Sequence, residues 1–228
     1  MHRISIFIYQ ILKNILIPDF FLFSIDSTVT VYIMLYPDTR RILFSGGYLM
    51  RFTIPEKHQW QEIKKIYLEA FPKRERKPYF MLRHAVRRQK ATVMAAVENG
   101  QLLGFTVLIP YHDMVMVDYL AVSSKIRSKG TGSSLLQNVL KQFPDKKIVL
   151  LIERPDDTAD NKEQRIARRR FYLKNGFVSS DIFITGASGD MEILVCGGTV
   201  SREEYMDMQR YALGDMLFRL SHIRIAEG

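Results

Sequence analysis

The chain has 228 residues, enough for one large domain or for one ordinary domain with an extension. Its composition, 47% hydrophobic and 25% charged, is that of a globular protein and excludes a disordered chain. The single cysteine, Cys196, excludes an intrachain disulfide framework, while the net charge of +9 suits an acidic partner such as a phosphorylated cofactor, nucleic acid or a membrane surface.

Residues 1–49 form a predicted apolar N-terminal extension. The apolar stretches 4–17 and 20–36 are interrupted by polar residues, and neither reaches the roughly 18 uninterrupted apolar residues of a membrane span. Three interpretations stay open: upstream sequence translated ahead of a native start at Met50, a peripheral membrane anchor, or a genuine packed extension. The sequence therefore predicts a main domain over 50–228.

In the first part of this main domain, the sequence predicts two helices and then three strands. Trp60, Ile63 and Ile66 recur at helical spacing, and a charged loop, FPKRERKP, follows the first helix. Asn99-Gly100 is a strong hairpin signal between two apolar runs. Helices are predicted at about 60–71 and 79–89, and strands at 91–97, 102–109 and 114–122.

The second part alternates helices and strands. Gly176 is placed to end one helix as its C′ glycine, and Ser201 with Glu204 resembles a capping box that opens the final helix. Strands are predicted at 147–152, 182–185 and 191–196, and helices after Arg127, at 163–175 and after Ser201. This order predicts one α/β domain, in which an antiparallel hairpin sequence precedes a strand–helix–strand crossover.

The stretch RSKGTGSSLL, residues 127–136, places two glycines directly before an apolar helix pattern. Gly130 and Gly132 remove side chains where backbone N–H groups would meet a ligand, and the helix adds its unpaired N–H groups and the positive end of its dipole. The cations before Gly130 add charge, and the serines after Gly132 add hydroxyl donors. The stretch is neither a P-loop nor a GxGxxG fingerprint. It predicts a pyrophosphate cradle, with a plain glycine turn as the alternative.

A second motif, FYLKNGF at residues 171–177, follows the next predicted strand. Together the two motifs resemble the GNAT superfamily of N-acetyltransferases, whose acetyl-CoA motif reads roughly V-x-x-x-x-R-G-x-G-x-G/A and whose next motif places a tyrosine shortly before Gly-Phe. The resemblance covers about residues 50–196. It implies a GNAT-like α/β fold: a mixed, mostly antiparallel central sheet flanked by helices, with strands 114–122 and 147–152 splayed to bind acetyl-CoA. It also implies direct transfer of the acetyl group from acetyl-CoA, the acyl-donor co-substrate, to a primary amine.

The resemblance also implies roles for individual residues. Leu120 and Val122 would offer backbone groups to the pantetheine arm, and Tyr172 would protonate the leaving thiolate. The sequence departs from the pattern at Ser128, where glycine is commoner. It departs again at Arg165, where many members carry an asparagine that touches the cofactor, which puts that contact in doubt. The residues that would hold the pyrophosphate are Arg127, Lys129, Gly130, Thr131, Gly132 and Ser133.

The general base has two candidates. Asp118 lies two residues before Leu120 and so faces the same side of its strand, towards the acceptor. Glu153, at the end of the buried strand KIVLLIE, is the second choice. A surface or salt-bridged carboxylate is the alternative for each. The basic run RIARRR, 165–170, is interpreted as a solvated helix face beside an anionic cofactor rather than as a nucleic-acid site.

The acceptor amine is not readable from the sequence, and it can belong to a small molecule or to a peptide. Two other functions stay open: a non-catalytic acetyl-CoA-binding sensor or complex subunit, and a basic RNA- or membrane-associated protein. No metal is expected, because the histidines show no ligand spacing. We expect no nucleic-acid partner and a cytoplasmic location, with membrane contact only if residues 1–49 are genuine. A homodimer stays open.

Overall fold

The computed structural model describes residues 20–24, 30–36, 39–42, 50–73, 76–126, 130–187 and 189–226. Contacts between residues divide the chain into two compact units. The first comprises 1–53 and 97–101, and the second comprises 54–96 and 102–228. The start of the main domain at Met50 stays a prediction.

The first unit contains four described strands, each antiparallel to the next along the chain. They are β1 (Phe20–Ser24), β2 (Thr30–Tyr36), β3 (Thr39–Ile42) and β4 (Met50–Thr53). The sequence predicts no strands here, because continuous apolar runs carry no period that separates strand from helix. Within the described ranges, no helix is long and apolar enough to cross a membrane.

The strands of the second unit are ordered β5-β6-β7-β8-β10-β9-β11. Their bounds are β5 (Thr92–Glu98), β6 (Gln101–Tyr111), β7 (Met114–Val122), β8 (Lys147–Glu153), β9 (Val178–Thr185), β10 (Met191–Cys196) and β11 (Arg224–Ala226). β7 and β8 run parallel, whereas β6–β7, β8–β10, β9–β10 and β9–β11 are antiparallel pairs. The predicted mixed, mostly antiparallel sheet is confirmed.

The turn between β5 and β6 follows the predicted Asn99-Gly100 signal. Both residues have positive φ, 51° for Asn99 and 78° for Gly100. Two consecutive left-handed residues form the turn whose twist matches that of the flanking strands, and asparagine and glycine adopt this conformation at the lowest cost. The local sequence therefore fixes the register of this hairpin.

Six described helices accompany these strands: α1 (Gln59–Ala70), α2 (Tyr79–Arg87), α3 (Thr131–Gln142), α4 (Lys162–Lys174), α5 (Arg202–Leu213) and α6 (Asp215–Leu220). The first five were predicted, with small differences at their ends. The capping box of α5 is present in full, since Ser201 Oγ accepts from the Glu204 N–H and the Glu204 carboxylate accepts from the Ser201 N–H. α6 and β11 are not predicted from the sequence, because both are too short to show a period.

The core of the second unit lies around its central strands. β6 is buried from Leu102 to Ile109, and β7 is buried from Met114 to Val117. α1 and α3 pack against β7, and α4 packs against β8. Strands covered on both faces read as continuous apolar runs, which explains why these two show no alternation in sequence.

A β-bulge interrupts β7 near its middle. Val107 of β6 pairs with Tyr119 and Leu108 pairs with Val117, so Asp118 is the extra residue. A bulge of this kind bends its strand and increases the local twist. It places Asp118 at the point where β7 changes direction.

β7 and β8 stop pairing with each other at the bulge. Their last parallel pair is Val117 with Leu150, although both strands continue beyond it. The predicted splay of these two strands is therefore confirmed. It leaves an open edge of β7 in the middle of the sheet.

Candidate active site

A cleft of about 1160 Å³ opens at the splay between β7 and β8. Its wall includes the second half of β7, the first turn of α3, the end of β8 and one face of α4. Arg127 and Lys129, both predicted to hold pyrophosphate, lie outside the described residues. The other predicted site residues all line this one cleft: Asp118, Leu120, Val122, Gly130, Thr131, Gly132, Ser133, Glu153 and Tyr172.

One end of the cleft is formed by the start of α3. Gly130 is the N-cap residue with φ of 81° and ψ of −3°, a left-handed conformation that favours glycine. No described side chain caps this helix, so its first N–H groups have no partner within it. The Oγ1 of Thr131 is buried and has no hydrogen-bond partner among the described residues. This end of the cleft therefore offers donors to an anion.

The β7 wall of the cleft shows regular alternation. Asp118, Leu120 and Val122 are half-buried, whereas Tyr119 and Ala121, which alternate with them and also line the cleft, are buried. Thr106 Oγ1 donates to the Tyr119 carbonyl at 2.9 Å and ties this part of β7 to β6. The same-side placement predicted for Asp118 and Leu120 agrees with the half-burial of both.

Tyr172, on α4, is one of the residues that line the cleft. Its ring contacts those of Phe171 and Phe177, with centroids 5.1 and 5.9 Å away. Burial raises the pKa of the Tyr172 hydroxyl to about 12, while the nearby Arg168 acts in the opposite direction. The hydroxyl therefore stays protonated at neutral pH and can donate a hydrogen bond.

Asp118 is held by a lysine from the loop between α1 and α2. Lys77 Nζ donates to both Oδ1 and Oδ2 of Asp118 at 2.9 Å. The side chains are 26% and 16% exposed, so water reaches the pair. Lys77 belongs to the charged stretch FPKRERKP, and charged loops are ordinarily solvated. The structure instead turns Lys77 inward, and nothing in its local sequence distinguishes Lys77 from its charged neighbours.

Two buried tyrosines fix the backbone of Lys77. The Lys77 N–H donates to Tyr119 Oη at 3.0 Å, and Tyr67 Oη donates to the Lys77 carbonyl at 2.8 Å. The two rings meet edge to face with centroids 4.9 Å apart. Burial raises the pKa of both hydroxyls, so both stay neutral, and Tyr67 keeps the proton that it donates to the Lys77 carbonyl.

Glu153 is held by two arginines of α4. Arg165 Nη2 lies 3.3 Å from Glu153 Oε1, and Arg168 Nη1 lies 3.1 Å from Oε2. Asn161 Nδ2 donates to Oε2 at 3.0 Å. The Glu153 side chain is only 5% exposed. A buried carboxylate with three such partners is well satisfied, and it has little freedom to move towards a ligand.

A protein-family model settles the relationship of this chain to known proteins. The model described as the acetyltransferase (GNAT) family matches residues 60–177, slightly more than half of the chain. The chain belongs to the GNAT acetyltransferase family. No curated protein matches the sequence significantly.

Several solved GNAT structures share the fold at low sequence identity. A GNAT-family protein from Bacteroides thetaiotaomicron is 20% identical, with a TM-score of 0.57, 74% of this chain covered and 98% of that chain. An acetyltransferase from Salmonella typhimurium, solved with acetyl-CoA, is 18% identical, with a TM-score of 0.50 and coverages of 67% and 96%. The aminoglycoside 6'-N-acetyltransferase from Enterococcus faecium is 16% identical, with a TM-score of 0.50 and coverages of 64% and 95%. These likenesses establish the fold.

The basic run 165–170 of this GNAT chain is not the solvated helix face that the sequence predicts. Arg165 and Arg168 bind Glu153, and Arg169 Nε lies 2.8 Å from the nearly buried Glu192. The run therefore neutralises two acidic side chains of β8 and β10. Helical spacing alone does not reveal this, since the carboxylates come from other elements.

Proposed function

We propose that this GNAT chain transfers the acetyl group of acetyl-CoA directly to a primary amine. The observation that carries the proposal is the meeting of three features in one cleft: the open edge of β7, the start of α3 and the Tyr172 side chain. An open strand edge offers backbone hydrogen bonds to an extended, amide-containing ligand. A helix N-terminus offers N–H groups to phosphate.

The hydrogen-bonding groups at the start of α3 suit a pyrophosphate. Thr131 Oγ1 is buried without a partner among the described residues, and phosphate oxygen would supply one. Gly130 leaves room, because no atom lies within 4 Å of the position that a Cβ atom would take there. We assign the pyrophosphate to Gly130, Thr131, Gly132 and Ser133, together with Arg127 and Lys129, and the pantetheine arm to the backbone of Leu120 and Val122.

Tyr172 is our candidate for the group that assists the leaving thiolate. Burial raises its pKa to about 12, so the hydroxyl is protonated at neutral pH. A thiol has a pKa of roughly 8.5, so complete proton transfer from this hydroxyl is uphill. We infer that Tyr172 acts mainly as a hydrogen-bond donor that stabilises the departing sulfur.

The acceptor must lose a proton before it attacks, because an alkyl amine has a pKa of roughly 10.4. We keep Asp118 as the first candidate for the base, directly or through water. Its ion pair with Lys77 is partly exposed and can open. Glu153 is the second candidate, and its two arginines and low exposure favour a structural role.

The proposal places the activity in residues 50–228. The acceptor is a small-molecule or peptide amine, and the reaction is assigned to the cytoplasm because the single cysteine is free. The structural similarity to an aminoglycoside acetyltransferase, at low sequence identity, does not identify aminoglycosides as the acceptor, since one fold supports many substrates.

Thermal unfolding with and without acetyl-CoA tests the proposal first. A ligand at 100 times its Kd stabilises the folded state by about 2.7 kcal/mol, which is readily visible as a rise in melting temperature. An amine panel with detection of free CoA thiol then tests turnover. Binding without turnover over a broad panel would favour the sensor. A folded protein that shows no acetyl-CoA shift would refute the cradle.

A further inference from the structure

The proposed reaction consumes a primary amine, and the cleft contains one that belongs to the chain itself. Lys77 lines the cleft, with Nζ 2.9 Å from both carboxylate oxygens of Asp118. Lys174 also lines the cleft, but it lies at the exposed end of α4. Lys77 is therefore the lysine that the fold directs to the bulge of β7.

The placement of Lys77 is specified by buried groups. Tyr67 and Tyr119 are 0% and 6% exposed, and their hydroxyls hold the Lys77 carbonyl and N–H. An ordinary surface lysine has no such anchor. The side chain of Lys77 therefore starts from a fixed point on the cleft wall, and only its flexible stem moves.

Leu120, to which we assign the pantetheine arm, is within the reach of that stem. Asp118 precedes Leu120 by two residues, and a regular strand advances by about 3.3 Å per residue, so the two positions lie at most roughly 7 Å apart along β7, and less where the bulge at Asp118 shortens the advance. The Lys77 side chain is 26% exposed, and partly exposed ion pairs are weak enough to open. A lysine stem of four carbons spans this distance when Nζ leaves Asp118.

We propose that the protein acetylates its own Lys77, an inference that rests on the proposed function. The ammonium first loses one proton to solvent, with Asp118 as the nearest acceptor. Nζ then attacks the thioester carbonyl carbon, the C–N bond forms and the C–S bond breaks. The second proton leaves Nζ as the amide forms, and the CoA thiolate takes up one proton to give the free thiol. The balance is one lysine ammonium and one acetyl-CoA converted into acetyl-lysine, CoA thiol and one proton.

Acetylation changes the charge of the acceptor side of the cleft. Acetyl-Lys77 carries no charge, so Asp118 loses the cation that occupies both of its oxygens. The freed carboxylate then becomes available to an incoming ammonium. Self-acetylation would thus release the Asp118 carboxylate from its ion pair, so that it can attract a cationic amine.

The test uses the full chain with acetyl-CoA, and peptide mass spectrometry follows acetylation of each lysine over time. Lys147 is the matched internal control: its side chain is 21% exposed, its Nζ lies 2.7 Å from Glu204 and 3.0 Å from Asp113, and it lies at the start of β8 outside the cleft lining. We expect Lys77 to react at least about tenfold faster than Lys147, because positioned groups react with high effective molarity. The rate should not depend on protein concentration.

Two variants sharpen the result. Lys77→Arg keeps a cation for Asp118 and should abolish acetylation at this position, whereas Lys147→Arg should leave acetylation of Lys77 unchanged. Tyr172→Phe should slow the modification of Lys77 without slowing that of Lys147.

Three outcomes would overturn the inference while leaving the proposed function intact. They are turnover of an added amine with Lys77 modified no faster than Lys147, preferential modification of Lys174, and a rate that rises with protein concentration. A chain that fails to bind acetyl-CoA would overturn both proposals, and the thermal shift detects that case separately.

Discussion

Phe171 lies directly over Gly132: a Cβ atom added to Gly132 would approach Phe171 Cζ to 3.2 Å. This contact joins the first turn of α3 to the aromatic cluster of α4. Because Phe171 also packs against Tyr172, the position of the tyrosine ring depends on the absence of a side chain at residue 132. Packing against Phe171 therefore requires glycine at position 132, as does the proposed ligand.

We expect Gly132→Ala to displace Phe171 and to weaken acetyl-CoA binding by about tenfold, which corresponds to roughly 1.4 kcal/mol. Overpacking should also reduce the free energy of unfolding by about 1–3 kcal/mol. Thermal unfolding over a series of acetyl-CoA concentrations measures both quantities.

Gly100→Ala is the control for this variant. Gly100 has φ of 78° and no atom within 4 Å of an added Cβ, so alanine there is strained but does not clash. The free energy of unfolding of Gly100→Ala should fall by about 1 kcal/mol, and its affinity for acetyl-CoA should be unchanged. Equal affinity losses in the two variants would show that Gly132 acts through stability alone.

Tyr172→Phe removes the proposed donor to the leaving sulfur and keeps the ring contacts. We expect kcat to fall by about 100-fold, the lower end of the range for general acids, with an unchanged Kd for acetyl-CoA. Tyr111→Phe changes a tyrosine that does not line the cleft and should leave kcat unaltered. Full activity of Tyr172→Phe would remove the tyrosine from the mechanism.

The pH dependence of turnover follows from the same hydroxyl. Because the pKa of Tyr172 is raised to about 12, its protonated form persists through the accessible range and its loss cannot limit the rate below about pH 11. The rate should therefore rise with pH until the acceptor amine is deprotonated, near roughly pH 10 for an alkyl amine. Stopped assays at constant ionic strength measure this profile. A decline that begins near pH 9 and is absent from Tyr172→Phe would contradict the raised pKa.

Local signals explain which parts of this fold could be predicted. Asn99-Gly100 fixes a hairpin and Ser201 with Glu204 fixes a helix start, because each interaction lies within a few residues. The order of these elements then predicts the sheet. The pairing of Lys77 with Asp118 could not be predicted, since 41 residues separate them and either charge alone suggests a solvated surface. The same holds for the arginines that bind Glu153.

Because Glu153 forms ion pairs with two arginines, its structural role can be tested separately from a catalytic one. Glu153→Gln leaves Arg165 and Arg168 without their carboxylate in a site where the acid is 5% exposed. We expect the free energy of unfolding to fall by about 2–4 kcal/mol, because breaking a buried ion pair leaves unpaired charge. Denaturant unfolding measures this loss.

Glu163→Gln provides the control, since Glu163 is an exposed residue in the first turn of the same helix. Its effect on stability should stay within about 0.5 kcal/mol. If Glu153→Gln keeps full stability and loses turnover, Glu153 is the base and Asp118 is not.

A chain that begins at Met50 tests the proposed domain boundary. Among the described residues, all those that line the cleft lie between Ala70 and Ile223, within the second compact unit. We therefore expect residues 50–228 to fold and to show the same acetyl-CoA-dependent rise in melting temperature as the full chain. The comparison should be made at equal ratios of acetyl-CoA to Kd, because the stabilisation depends on that ratio. A truncated chain that folds but no longer binds acetyl-CoA would assign residues 1–49 to the functional domain.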